Sequence, residues 1–439
     1  MKNFVLTLLA LITFTGIKAQ PASDTVRSLQ MEIITPMHKR SFTNDGECPE
    51  RRQGGHTRMM NGYQVFDGSL DGDRQVDPQI AAGGGYILEG SNKGLTIYTK
   101  NGEFVEGVSQ KCFNNGIDPK LLFDIHNKVF VFDMWWYYDK AKTKPVNIAV
   151  SETSDPKGAW NIYPVSRTEE VDGGGIGYSK KWIGYSYPGG SENTFVMKME
   201  DAIAGKPATV YYFKGSLGNP VFMQDGVDDL YFFNIEKNDF VIRKVSEDAD
   251  GKPYCVVVSR KPHHLKYIDY PPQSSQKGTS QAVSSGDRNP KNVVYQNGCI
   301  WFSQAVRCKG RSAVQWHQVK PEDGTILQTG LIKSDTTNYI QTTLAVNKKN
   351  DVLIGFQEVN ENSFISPRFT YRLAGDKPGS TREIIHVGEG VGATDGAAWG
   401  DYSGSMIDGD NLVDLWTVQS RANEKGKAES VIVKVPFKK

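Results

Sequence analysis

Stretches of strong helix formers are scarce in this chain of 439 residues, and no run beyond the first nineteen is apolar enough to cross a bilayer. These absences exclude a helical bundle and a helical membrane protein. An excess of either charge is also missing, with 51 Lys and Arg against 50 Asp and Glu. Nothing therefore supports nucleic-acid binding or general attraction to a membrane surface. Cysteine is sparse, at 5, and no Cys/His spacing fits structural zinc. Glycine-rich stretches such as Asp172-Gly-Gly-Gly-Ile-Gly177 open no helix, which argues against a dinucleotide or nucleoside-triphosphate site.

What is plentiful is glycine, at 45, and aromatic residues, at 11%, the composition of an all-β chain with many turns. Residues 1–19 combine Lys2, an apolar run from Phe4 to Phe14, and the small residue Ala19 before Gln20, the layout of an export signal. Losing Lys2 and Lys18 with it moves the formal charge from +1 to −1. The expectation is an exported protein, periplasmic or secreted, with residues 20–28 as a loose start and 29–439 as one domain.

From residue 76 onward the chain repeats. Each unit opens with Asp or Asn beside a Pro, Gly or Tyr, at Asp77, Asp118, Asp172, Asn219, Asn289, Asn338 and Asp401. A strand, a turn and a very apolar second strand follow, then one or two more strands. Seven such units predict a single β-propeller of seven blades. The last unit holds strands at Trp399 to Ile407, Leu412 to Val418 and Glu429 to Val435, and lacks a fourth. The isolated strand 29–35 is expected to supply it and close the ring, which would also cover exposed edges. Residues 36–75 read as a long loop.

Three stretches resemble a family of exported bacterial β-propeller proteins, mostly of unassigned function. They are Asp118-Pro-Lys-Leu-Leu-Phe-Asp124 with the Val146 to Tyr163 run, Val293 to Trp301 with Ala313 to His317, and Trp399-Gly-Asp-Tyr-Ser403. The resemblance implies the fold and export, and leaves activity open, since propellers serve as hydrolases, lyases and binding modules. The chain departs from the family in the segments 36–75 and 259–287.

In a propeller the unit openings and the loops after each second strand share one face. That face should gather Asp118, Asp172 and Asp401 as acids for glycoside cleavage, or as oxygen ligands for Ca²⁺. Turn capping alone also explains such residues. Trp135, Trp136, Tyr137 and Tyr187 should offer rings to sugars, with Arg288, Arg307 and Arg421 as further contacts. The two long segments should lie over the same mouth, bringing His263, His264 and Tyr267 as proton carriers for β-elimination on a uronic acid. They would also bring Cys48 near Cys112, a plausible disulfide, the alternative being free buried thiols. The expected function is a carbohydrate-active propeller, a glycoside hydrolase or polysaccharide lyase, with a non-catalytic glycan-binding or envelope-interaction propeller as the alternative.

Overall fold

The computed structural model describes residues 25–28, 30–39, 50–51, 57–70, 75–113, 116–135, 145–166, 174–186 and 194–437. Helix is limited, among these, to Met199–Ile203 and a single 3₁₀ turn at Gln110–Phe113. Everything else of regular structure is strand. The expected signal 1–19, Cys48, Trp136, Tyr137, Asp172 and Tyr187 lie outside the described residues.

The strands form six hydrogen-bonded sheets among the described residues, and none of them closes on itself. Within these sheets the chain makes seven antiparallel groups, each built in sequence order. The first runs through Gln79–Gly83, Tyr86–Ser91, Gly94–Thr99 and Phe104–Ser109. The second runs through Ile117–Asp124, Val129–Trp135, Val146–Ser151 and Trp160–Val165. The group starting at Gly175–Tyr178 and the one starting at Val293–Gln296 share a ten-stranded sheet, bridged in parallel through Phe222–Met223. The opening strands of neighbouring groups lie against one another, including Gln79–Gly83 of the first group and Gly404–Ile407 of the last.

Many strands are apolar on both sides because their faces pack against the next group. Val129–Trp135 is buried along its whole length, as are Val352 to Gln357 of the sixth group. Seven tryptophans, among them Trp160, Trp182, Trp301 and Trp416, fill the spaces with under 2% of their surface exposed. Two of the buried indole N–H groups donate to side-chain oxygens: Trp399 to Gln357 Oε1 at 2.7 Å and Trp416 to Asp408 Oδ2 at 3.0 Å.

The N-terminal segment corrects the expected closure. Gln30–Ile34 pairs with Ala208–Phe213 at the edge of the third group, not with the last group. Tyr63–Leu70, expected as loop apart from a short strand, takes the fourth place beside Ala428–Val435. The physical reason lies in the side chains. Val65 and Phe66 are wholly buried there, whereas Met31 and Ile33 are 56% and 72% exposed on their strand. The inner position went to the segment with the apolar pair. Ser69 of this strand gives its N–H and hydroxyl to the buried Glu89 carboxylate of the first group, at 3.0 Å each, and Tyr98 adds a third donor at 3.0 Å. The last group is thereby fastened to the first.

The residues before it act as a strap. Val26–Arg27, Gln30–Ile34 and Met37–Lys39 add outer strands to the fourth, third and second groups in turn. Three edges that would otherwise be open are covered.

The expected strand Trp399 to Ile407 begins only at Gly404. Gly400 sits at φ +47° and the Asp401 N–H is held by the Asp77 carboxylate at 2.6 Å, so the chain turns before it can join the sheet. Cys255, Cys299 and Cys308 are free thiols, the last two at opposite ends of one strand.

Candidate functional site

Where the opening strands meet, a cavity of about 220 Å³ is walled by Lys120, Gly174 to Ile176, Asn219, Pro220, Asp287, Asn289, Pro290, Lys291, Asp401 and Tyr402. Drug-sized pockets occupy roughly 300–1,000 Å³. This one suits a single small residue. Five groups contribute residues from their openings or opening strands, and the 259–287 segment contributes Asp287.

The wall is stiff because its residues are tied beneath the surface. Asp77 and Asp118 both adopt left-handed backbone, φ 47° and 53°, in front of a proline, a conformation that Asp tolerates better than most residues. Asn92 links them: its amide donates to Asp77 Oδ2 at 2.8 Å while its oxygen accepts the Asp118 N–H at 2.6 Å. Burial, followed by the charge of Asp401, pushes the Asp77 carboxyl up to about 6.

Lys120 is the residue that sequence reasoning missed. It sits on the inner strand two residues after Asp118, is 7% exposed, and its Nζ has no hydrogen-bond partner among the described residues. Nζ lies 2.7 Å from the centroid of the Tyr402 ring, and Lys291 Nζ lies 4.9 Å from the same centroid. Burial pulls the Lys120 amine down to about 7, against the opposing pull of Asp118 and Asp133. Asp133 is fully buried. Its Oδ1 accepts the Lys120 backbone N–H at 2.7 Å while Oδ2 has no hydrogen-bond partner among the described residues. Burial pushes this carboxyl up to about 7. The Tyr402 phenol is raised well above its ordinary value by burial and then by Asp118, Asp401 and Asp77. Near neutrality this corner therefore holds an amine that can take a proton and a phenol that keeps one.

The sequence did carry a signal for it. Lys120 precedes the apolar Leu121-Leu122-Phe123, and Asp133 interrupts Val129-Phe130-Val131-Phe132. A lone charge of each sign in two adjacent buried strands is costly unless it has a use.

The expected site residues divide. Asp401 is exposed, lines the cavity, and accepts from the Gln75 amide at 3.2 Å. Asp118 is buried just behind the wall, and Asn219 and Asn289 line it. Asn338 is elsewhere, buried and accepting the Ser312 N–H at 3.1 Å.

Arg288 is half-buried beside the wall, donating to the Ile268 carbonyl at 3.1 Å with its guanidinium 4.8 Å from the Tyr270 ring centroid. Arg307 is exposed, and its backbone N–H anchors the Asp269 carbonyl at 3.0 Å.

Five of the expected residues lie away from the cavity. Trp135 is 1% exposed within the core and offers no ring to a ligand. Arg421 is buried against Glu429 at 3.0 Å and Asp67 at 3.3 Å, a tie within the last group and its closing strand. His263 is buried under Phe240 with ring centroids 5.0 Å apart, and burial lowers its affinity for a proton. His264 is exposed at φ 49° and Tyr267 packs by Val306 and Cys308, neither lining the cavity. Apolar packing placed Trp135, His263 and Tyr267, and ion pairs placed Arg421.

The described parts of 36–75 run along the sheet edges, and only Gln75 reaches the mouth. His38 sits on the second group's edge, 2.9 Å from Asn161 Oδ1. The expected Cys48–Cys112 pair has one member outside the described residues. Among the described residues no group of three His, Cys, Asp or Glu side chains can hold a metal ion, so the Ca²⁺ expectation finds no ligand set there.

No family model matches the chain, and no curated protein matches it. Among solved structures it is similar to a hypothetical selenium-binding protein from Sulfolobus tokodaii, at 8% identity and TM-score 0.42, covering 85% of this chain and 92% of that one. It is similar to a polysaccharide lyase, an ulvan lyase, at 9% identity and TM-score 0.36, covering 90% and 97%. A third likeness is to endo-arabinase from Bacteroides thetaiotaomicron, at 11% identity and TM-score 0.28, covering 64% and 95%. At these TM-scores the likenesses say nothing about chemistry. None of the helices among the described residues is long and apolar enough to cross a membrane.

Proposed function

We propose that the seven antiparallel groups are the blades of one closed propeller, and that the chain is an exported carbohydrate-active protein which takes one sugar residue into the cavity at the hub. Support for the ring comes from the contacts between successive opening strands, from the fourth strand lent by Tyr63–Leu70, and from the Asp77–Asp401 bond.

The observation that carries the functional reading is the cavity itself. It presents ammonium, carboxylate, amide and phenol groups on rigid strand openings, and a buried ammonium among them has no acceptor among the described residues. Convergent polar groups in a small, preformed cleft are what a hydroxyl-rich ligand requires. Cleavage of the bound glycan, as a glycoside hydrolase or polysaccharide lyase, is the reading this wall supports best.

The test is a polysaccharide and oligosaccharide panel scored for binding, for reducing ends and for unsaturated uronates. Turnover that falls in Asp401→Asn and Asn289→Ala supports the reading. Binding without turnover on every glycan favours the non-catalytic propeller, and no binding to any glycan removes the reading altogether.

A further inference from the structure

Resting on that carbohydrate reading, we infer that Lys120 and Tyr402 form the proton-transfer pair of a β-elimination on a uronosyl residue, with Lys291 pairing the sugar carboxylate. No motif in the chain marks these three residues for such a role.

The geometry distinguishes Lys120 from a lysine that merely balances buried acids. Such an ammonium should bond a carboxylate, since burying a charge without a partner is costly. Asp77, Asp118 and Asp133 all surround this lysine closely enough to influence it, yet its Nζ makes no hydrogen bond and no ion pair within 4.0 Å among the described residues. It rests on the Tyr402 ring instead, and both residues line the cavity. Lys291 Nζ lies 4.9 Å from the centroid of the same ring, half-buried, and is a second positive group for an anionic ligand.

The atoms balance without any co-reactant. The neutral Lys120 amine takes the proton from C5 of the uronosyl residue, which the Lys291 ammonium acidifies by neutralising the adjacent carboxylate. The C5 electron pair forms the C4=C5 double bond, and the C4–O4 bond breaks with its pair going to oxygen. That oxygen takes the Tyr402 hydroxyl proton. The Lys120 ammonium then returns a proton to the phenolate, and both groups regain their starting state. No water is consumed, so the product is an unsaturated uronate. An amine near 7 meets the requirement that a base be deprotonated at working pH, and a phenol raised well above its ordinary value remains a proton donor.

The experiment uses the full chain with oligomers of galacturonate, glucuronate and mannuronate, and with carboxyl-reduced counterparts. Binding is followed by calorimetry and unsaturated product by ultraviolet absorbance. The wild type should release unsaturated product from one uronate oligomer, at a rate that rises with pH through about 7. Lys120→Arg should bind that oligomer and lose about 100-fold or more in rate, the size expected of a lost proton-transfer group. Tyr402→Phe, which keeps the ring under Lys120, should lose rate with KM little changed. Lys291→Ala should raise KM for the uronate and leave the weak binding of the carboxyl-reduced oligomer unchanged.

Glycan binding by the wild type with no unsaturated product from any uronate overturns the inference and leaves the carbohydrate reading standing. Absence of binding to any glycan overturns the reading instead. Lys120→Arg turning over as fast as wild type, or a wild-type rate flat between pH 6 and 8, also overturns the inference. The wild-type pH profile decides the matter even if a variant fails to fold.

Discussion

The carboxylate of Asp77 accepts the backbone N–H of Asp401 at 2.6 Å, joining the first and the last of the seven polar openings across 324 residues of chain. The same carboxylate accepts from Asn92, which in turn holds Asp118. Three openings are thus tied to one another behind the cavity wall, so the residues that begin the groups also shape the cavity.

Replacing Asp77 should show this tie. Asp77→Ala leaves the Asp401 N–H and the Asn92 amide without their acceptor in a buried setting, at a cost of about 2–4 kcal/mol. Alanine is also a poorer occupant of the left-handed backbone found there. Urea unfolding should show the loss, and ligand binding at the hub should weaken with it. A variant as stable as wild type would mean that the Asp77–Asp401 bond does not hold the ring.

Arg421 was expected to touch substrate, and its ion pairs with Glu429 and Asp67 assign it to the fold. Arg421→Met removes both ion pairs, while Asp67 keeps Arg58 at 3.0 Å, and should cost about 1.5–3 kcal/mol. Glycan affinity of the folded fraction should be unchanged. A variant of normal stability with lost affinity would restore the earlier assignment.

The closing strand and the strap should respond differently to the same insult. Val65→Lys places a charge at a wholly buried position of the strand that completes the last group, and should prevent folding or lower the melting temperature steeply. Ile33→Lys, on the strap, should stay within about 0.5 kcal/mol of wild type. Equal sensitivity at the two positions would mean that 30–34, and not 63–70, closes the structure in solution.

His317 gives the protein a defined response to acid. Its Nδ1 lies 2.9 Å from the Thr329 hydroxyl and its Nε2 3.4 Å from the Gln304 amide nitrogen, so the partners assign a neutral ring with its proton on Nδ1. Burial pulls its pKa down to about 3. The unfolded chain therefore binds a proton that the folded chain refuses between about 6.5 and 3. The contribution is complete above pH 6.5 and is lost as the pH falls, with a slope approaching about 1.4 kcal/mol per unit. His317→Gln should flatten that part of a stability-against-pH curve; an unchanged slope would show that His317 is not its source.

Much of the architecture was legible because it rests on local chemistry. The Asp and Asn openings, four of them before proline, and the doubly apolar second strands mark seven units, and the structure has an antiparallel group at each. Less legible was anything decided by competition between distant segments. Residues 29–35 read as a strand and 36–75 as a long loop, and only packing against Ala428–Val435 and Glu89 shows that 63–70 takes the inner position. The site was half legible for the same reason. Asp401, Asn219 and Asn289 were expected at the mouth, and they line it. His263 and Trp135 were chosen for their chemistry, but apolar neighbours buried them. Lys120 and Asp133 were passed over because a single charge within a strand looks incidental until its neighbours in space are known.

The most direct measurement is a crystal structure of the wild-type protein soaked with the uronate oligomer that it binds. The account predicts one sugar residue in the hub cavity, its carboxylate against Lys291 and its C5 facing Lys120 Nζ, inside a closed ring of seven blades. A sugar bound on the rim with the hub cavity empty of it, or a chain whose first and last groups do not meet, would contradict the account.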